Sequence, residues 1–355
     1  MNPGNIWWGQ IGNSLRLLNR VTNSLRDCCS TVLQVTGTLP WQQDFYQAIV
    51  TRCNALGSQR RLVRHQWAPD MEPGEFVLDK LCSDRVKAEY WPGKSYAEYL
   101  GTKEELMLND YYVWINGIHD KRDLEHWVYF VSEYHHAAQN LDSFAVFVLE
   151  YDGEEAEVDG VENIVYRVED YDCRVFALEA AAALTNTNLR NYQAELALNI
   201  SGCDPELSFA LLNTGKSLLH EPIKTAREVL EECCNSQGQF FSDCSAWEIH
   251  SAAWEAAIVL LFPILERYRM AFIAKHSEQL ARHLPISNSN GDHITDPWDL
   301  ELGPLHYIVS NETKKFDLWD AERIRLCRKV RNLLAHNKLV PYEDAKKIFA
   351  LEDTV

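Results

Sequence analysis

Hydrophobic positions recur along this chain at two different periods, and the point where one gives way to the other divides it. Ile6, Leu15, Leu18, Val21 and Leu25 lie near a helical spacing across residues 5–27. Thr31 to Val35 then reads as a short strand closed by Gly37 and Pro40. A helix over 41–56 buries Phe45, Ile49, Val50 and Cys53, and Arg61-Leu62-Val63 starts a second strand. Pro73 suits the first turn of another helix, to Cys82. Tyr111 to Ile115 is a third strand, and 121–138 is an amphipathic helix bearing Leu124, Trp127, Val128, Phe130 and Val131. Phe144 to Leu149 is almost continuously apolar, as befits a strand covered on both faces. Ile164-Val165-Tyr166 adds a strand and Val175–Leu184 a helix.

Strands alternating with helices predict a parallel sheet with helices on its faces. Beyond residue 170 the strand signal stops, and 186–234 carries helical patterns only. Four more helices are expected over Ala246–Arg282, Leu300–Ser310, 317–336 and Tyr342–Leu351. Polar stretches at 235–239 and 287–292 read as loops. The predicted organisation is an α/β domain over 1–185, a helical segment over 186–240 and an all-α domain over 241–355.

Composition adds the setting. The 355 residues include 34 basic and 52 acidic side chains, a net charge of −18, which excludes a uniformly basic nucleic-acid coat and electrostatic adhesion to an anionic membrane. Ten cysteines without a CxxC spacing read as reduced thiols, and no metal is expected. The longest nearly apolar stretch, Ala256–Leu265, is far short of the ~20 residues a membrane span needs. With no basic-then-apolar leader at the N-terminus, the expectation is a soluble cytoplasmic protein with no membrane partner.

A parallel sheet invites a search for a phosphate loop. The turn after the first strand, Thr36-Gly37-Thr38-Leu39-Pro40-Trp41-Gln42-Gln43, has one glycine and no Lys-Ser/Thr to cradle phosphate. Gly215-Lys216-Ser217 follows a helical pattern and reads as a helix end with a glycine cap. The apolar run ending in Leu149-Glu150 is similar to a Walker B strand. In the order of its elements, residues 1–240 resemble an AAA+ or related P-loop NTPase domain with a helical lid. The resemblance implies a degenerate member without ATP hydrolysis and with no cofactor. Beside it, residues 150–172 hold ten acids against the single base Arg167, a solvated run able to dock a basic partner.

The most informative stretch is Arg328-Lys329-Val330-Arg331-Asn332-Leu333-Leu334-Ala335-His336-Asn337. With Ile324 at zero on a helix, Cys327, Val330 and Leu334 form an apolar stripe at about 240–300°, Arg331 lies at its edge near about 340°, and His336 points away at about 120°. A guanidinium there is costly unless it meets a carboxylate, a phosphate or a second subunit. Either the helix ends near Ala335 and turns the imidazole, or a second copy completes the site. Residues 321–347 hold eight bases against three acids, a local +5 suited to an anionic ligand.

Arg331-Asn332, three residues and His336 resemble the R-x(4–6)-H motif of HEPN domains, and the helices of 241–355 fit that all-α fold. The resemblance implies metal-independent RNA cleavage across a dimer interface. Arg331 would hold the phosphate, Asn332 would support the geometry and His336 would move the proton. Arg325, Arg328, Lys329 and Lys338 would contribute RNA binding. It further implies a bacterial defence or toxin-type system, working as a homodimer or in a larger complex with other defence proteins. The alternative is a non-catalytic adaptor whose helical bundle only dimerises or docks a partner.

Other candidates carry less. His135-His136 has no ligand at metal spacing and reads as surface or cap. Trp247 and Trp254 are seven apart on one helix, which is core spacing. Glu301 and His306 precede the motif helix and pack against it, and neither GxSxG nor HExxH occurs.

Overall fold

The computed structural model describes residues 2–352 apart from 38, 57–59, 155, 184–185, 288–290, 292 and 313–315. Thr38 of the turn after the first strand, Glu155 of the acidic run, Leu184 and most of the 287–292 loop therefore lie outside the described residues. The chain forms two compact units, Met1–Asp172 and Cys173–Val355.

The first unit begins with α1 (Pro3–Gln10) and α2 (Gly12–Arg26), where one helical pattern breaks at Ile11, whose backbone is extended. Then follow β1 (Thr31–Val35), α3 (Gln42–Ala55), β2 (Arg61–Gln66), α4 (Pro73–Leu81), α5 (Asp84–Ala88), α6 (Tyr96–Gly101), β3 (Tyr111–Ile118), α7 (Lys121–Ala137), β4 (Val146–Tyr151) and β5 (Glu162–Tyr166). The five strands make one parallel sheet in the order β2-β3-β4-β1-β5. β1 and β4 lie in its interior and are buried at every position, which is why their sequences are mostly apolar, with Thr31, Gln34 and Glu150 as buried polar exceptions.

Alternation along the strands sorts the two faces. Val113, Ile115, Phe147 and Leu149 join Phe76, Leu100, Trp127, Val131 and Tyr134 of α4, α6 and α7 in one core. Trp114, one residue out of phase, turns to the opposite face and meets Phe45 and Tyr46 of α3 edge-on at 5.8 and 5.4 Å. The front unit is thus a parallel α/β domain. His135 is half-buried rather than on the surface: its Nε2 is 3.2 Å from both Ser30 Oγ and the Ala145 carbonyl, and burial lowers its pKa.

The division between the units falls within α8 (Asp170–Ala180). After it come α9 (Thr187–Ser201), α10 (Pro205–Asn213), α11 (Lys216–His220), α12 (Pro222–Glu232), α13 (Ala246–Ala281), the short strands β6 (Ile286–Ser287) and β7 (His293–Ile294), α14 (Leu302–Asn311), α15 (Leu318–Ala335) and α16 (Tyr342–Phe349). Strands of two residues are too short to show a period, so the antiparallel β6–β7 pair that flanks the expected loop, taking in only its first residue Ser287, is not legible in the sequence. Gly215 links α10 to α11 with a positive φ of 62°, at the end of a helix, and its carbonyl accepts from Gln193.

Leu196, Leu211, Leu218 and Val229 from α9 to α12 share one hydrophobic core with Ile249, Leu261, Leu305, Val330 and Ile348. Ser245 and Glu248 form a reciprocal capping box that starts α13, and the helix leaves regular geometry at His276. Trp254 is partly buried on α13, but Trp247, in its first turn, is 65% exposed and stacks on His250, so the expected core role fails for Trp247.

Candidate nucleic-acid interface

α15 starts where the Asp317 side chain accepts the Trp319 amide at 3.0 Å, satisfying one of the four N–H groups a helix start leaves open. Its buried positions are Asp320, Ile324, Cys327, Val330 and Leu334, so the predicted apolar stripe is the face turned to the core. The indole of Trp254 on α13 donates to the Leu334 carbonyl at 2.9 Å and ties down the end of the helix. α15 stops at Ala335. His336 takes the cap position with φ −105° and ψ 21°, and Asn337 follows with a left-handed φ of 50°.

The opposite face of α15 is basic. Arg325, Arg328, Lys329 and Asn332 follow the i, i+3, i+4, i+7 spacing of one helix face. Together they line a groove of about 1230 Å³ whose walls include His306 and Ser310 of α14 and Asp344 and Lys347 of α16. Its charged lining is Arg323, Arg325, Arg328, Lys329 and Lys347 against Glu322 and Asp344.

Three contacts organise the walls. Lys329 Nζ donates to Asp344 Oδ2 at 2.5 Å and clasps α15 to α16. Arg328 Nη1 lies 3.2 Å from His306 Nδ1, and Ser310 Oγ lies 3.4 Å from Nε2. A guanidinium only donates, so Nδ1 must be the accepting nitrogen and the imidazole is neutral. Burial, then the charges of Arg328 and Arg325, hold the His306 pKa below its ordinary value and favour that state.

Arg331 does not line this groove. Its Nη2 donates to Glu301 Oε2 at 3.0 Å and its Nη1 to Asn332 Oδ1 at 3.2 Å. The carboxylate that a guanidinium on that edge requires is therefore Glu301, the N-cap residue of α14. His336 and Lys338 are exposed beyond the helix end, and neither is among the groove's lining residues. Of the seven residues singled out from sequence, four share the groove and three stand outside it. Missed were Trp319, Asp344 and Lys347; an aromatic one turn before Arg323 on a basic helix was the available signal for Trp319.

A second polar cluster lies below. Asp320 is buried on α15 and accepts from Lys275 Nζ at 2.7 Å and His276 Nε2 at 3.0 Å, both on α13 at the irregular turn. Burial works to raise its pKa, but the bonds and charges of Lys275 and His276 outweigh it and leave Asp320 below the usual value.

In the front unit, Glu150 is the penultimate residue of β4 and is 7% exposed. Tyr46 Oη donates to it at 2.5 Å, Trp114 Nε1 at 2.7 Å and Gln42 Nε2 at 3.1 Å. Arg64 stacks over the Tyr46 ring at 4.0 Å. Burial raises the Glu150 pKa despite these donors. The segment after β1 is held by aromatic side chains: Trp8 Nε1 donates to the Pro40 carbonyl at 2.8 Å, and Trp41 lies 6.1 Å from Trp7. The Walker B-like acid is thus committed to internal partners. The described acids of this run are exposed, except Glu150 and Asp172, which are buried.

No family model matches the chain, and no curated protein matches it. Among solved structures, the crystal structure of Cdc6p from Pyrobaculum aerophilum aligns over 97% of this chain and 96% of that one, at 10% identity and a TM-score of 0.36. A likeness that loose transfers no function. Among the described residues, no helix is long and apolar enough to cross a membrane.

Proposed function

We propose that the second unit binds RNA in the α14–α15–α16 groove and cleaves it without a metal, as its resemblance to HEPN domains implies. The observation carrying this reading is the convergence of Arg325, Arg328, Lys329 and Asn332 on one groove with a surplus of bases. Guanidinium and ammonium groups there neutralise phosphates, and each neutralised phosphate releases a counterion. His336, exposed beyond the helix end at Ala335, is the proton-transfer group where the strand leaves the groove. Its imidazole takes the 2′-hydroxyl proton as that oxygen bonds to the adjacent phosphorus, and returns a proton to the 5′-oxygen as the P–O5′ bond breaks, leaving a 2′,3′-cyclic phosphate. The front unit, its Glu150 occupied by internal donors, senses or assembles without hydrolysing ATP, within a cytoplasmic bacterial defence or toxin-type system.

The test is incubation of the full chain with end-labelled single-stranded RNA in excess chelator. Cleavage by the wild type that is lost in His336→Ala, with RNA binding retained, supports the reading. Intact RNA with both proteins, alone and in the presence of their partner, overturns it.

One observation favours the adaptor reading. Arg331 bonds to Glu301 and so ties α15 to α14, a task of holding helices rather than of chemistry. Under that reading Arg331→Ala lowers stability and leaves every RNA measurement unchanged.

A further inference from the structure

Trp319 stands at the N-terminal end of the basic groove with 68% of its surface exposed, beside the equally exposed Leu318. A side chain that size gains by leaving water, so its exposure on a helix with a well-formed buried face marks a position not used for folding. It lies one turn before Arg323 and two turns before Leu326, both of which line the same groove. We propose that Trp319 is a stacking platform for an unpaired base, and that the groove takes a single-stranded oligonucleotide and not a duplex. This rests on the RNA-binding reading above and names its substrate class.

Three features point the same way. The groove, at about 1230 Å³, exceeds the roughly 300–1,000 Å³ of small-molecule pockets, which suits an oligomer. Its lining combines guanidinium and ammonium groups with one exposed indole, the pairing that single-stranded nucleic acid requires of a protein, since phosphates need charge and bases need a flat apolar face. A duplex hides those faces within its own stack and would leave Trp319 in water. Along α15, Trp319 and Asn332 are thirteen residues apart, or about 20 Å at ~1.5 Å per residue. That length matches about six nucleotides at a stacked rise of ~3.4 Å. The indole therefore sets a register: a base held there places the phosphates that follow along Arg323, Arg325, Arg328 and Lys329, and the strand leaves near Asn332.

The experiment is fluorescence anisotropy with labelled single-stranded RNAs of four, eight and twelve nucleotides and a twelve-base-pair RNA duplex. The proteins are the full-length wild type, Trp319→Ala, Trp319→Phe and Arg325→Glu. The eight-mer should bind well, the four-mer poorly and the twelve-mer little better than the eight-mer. Trp319→Ala should weaken the eight-mer about 5- to 100-fold with the salt slope unchanged, because no phosphate contact is lost. Trp319→Phe should restore most of that affinity, and Arg325→Glu should flatten the salt slope instead. Duplex affinity should be the same for wild type and Trp319→Ala.

An eight-mer affinity unaffected by Trp319→Ala overturns the platform while leaving the groove as an RNA site. Such a result accompanied by a smaller species in sedimentation assigns the indole to a protein contact, which also overturns it. Failure of the wild type to bind any RNA, with Arg325→Glu identical, removes the RNA-binding reading itself.

Discussion

Arg331 reaches from α15 to α14 and meets Glu301, Nη2 to Oε2 at 3.0 Å, with the guanidinium 31% and the carboxylate 75% exposed. An ion pair open to water on one side is screened, and such pairs contribute about 0.2–1 kcal/mol. A double-mutant cycle of Arg331→Ala and Glu301→Ala, read by urea denaturation, should give a coupling within that range that shrinks in 1 M salt. A coupling several times larger would mean that the pair excludes water.

Asp320 is a different case, because it is buried between Lys275 and His276. Asp320→Ala should cost about 2–3 kcal/mol, chiefly through the half of His276 left without an acceptor. Its pKa is lowered in the folded state, so its contribution is present above the ordinary carboxylate value near ~4 and is lost as pH falls through the depressed one. Acid titration followed by near-ultraviolet circular dichroism should show unfolding at higher pH in Asp320→Ala than in wild type.

Glu150 has the opposite sign. Burial raises its pKa, so between the ordinary and the raised value the unfolded chain has released a proton that the folded chain keeps. Stability then falls as pH rises through that window. Glu150→Gln should flatten this dependence in thermal melts between pH 4 and 7. Glu150→Ala should cost about 2–4 kcal/mol by leaving the Trp114 and Tyr46 donors unmet. Calorimetric titration with magnesium ATP should give no binding heat in any of the three proteins.

His306 makes the groove respond to pH. Its folded pKa is lowered, so the unfolded chain takes up a proton first and stability declines as pH falls below about 6.5. Once protonated, Nδ1 cannot accept from Arg328, and a further cation faces the groove. RNA affinity should therefore rise between pH 7 and 5, with a salt slope steeper by about 0.7 for one added phosphate contact. His306→Asn should abolish that gain, and equal pH profiles for the two proteins would contradict it.

The parts of this molecule legible in its sequence are those where burial writes a period. β1 and β4 are buried at every position, and all but Thr31, Gln34 and Glu150 among them are apolar or aromatic. The stripe Ile324, Cys327, Val330, Leu334 shows which side of α15 is inside, and Arg331 at its edge signals a missing partner, whether a carboxylate, a phosphate or a second subunit. What the period does not carry is the partner. Glu301 and His306 lie 30 and 22 residues from the arginines they meet, and only the packing of α14 on α15 selects them. The break at Ile11 is silent because an isoleucine suits helix and core alike. Trp247 misleads because it keeps the spacing of Trp254 yet sits in the first turn of α13, beyond the covered part of that helix.

Lys329 and Asp344, 2.5 Å apart, give the groove an occupant of its own. Every incoming phosphate must outcompete a tethered carboxylate that is always present at the same place, whereas a free anion pays a dilution penalty each time it arrives. A lone phosphate or a mononucleotide loses that contest. A strand whose neighbouring charges are already engaged by Arg325 and Arg328 arrives with its own effective concentration and wins it. Under the proposed RNA-binding reading, the clasp acts as a threshold that favours polymers over small anions.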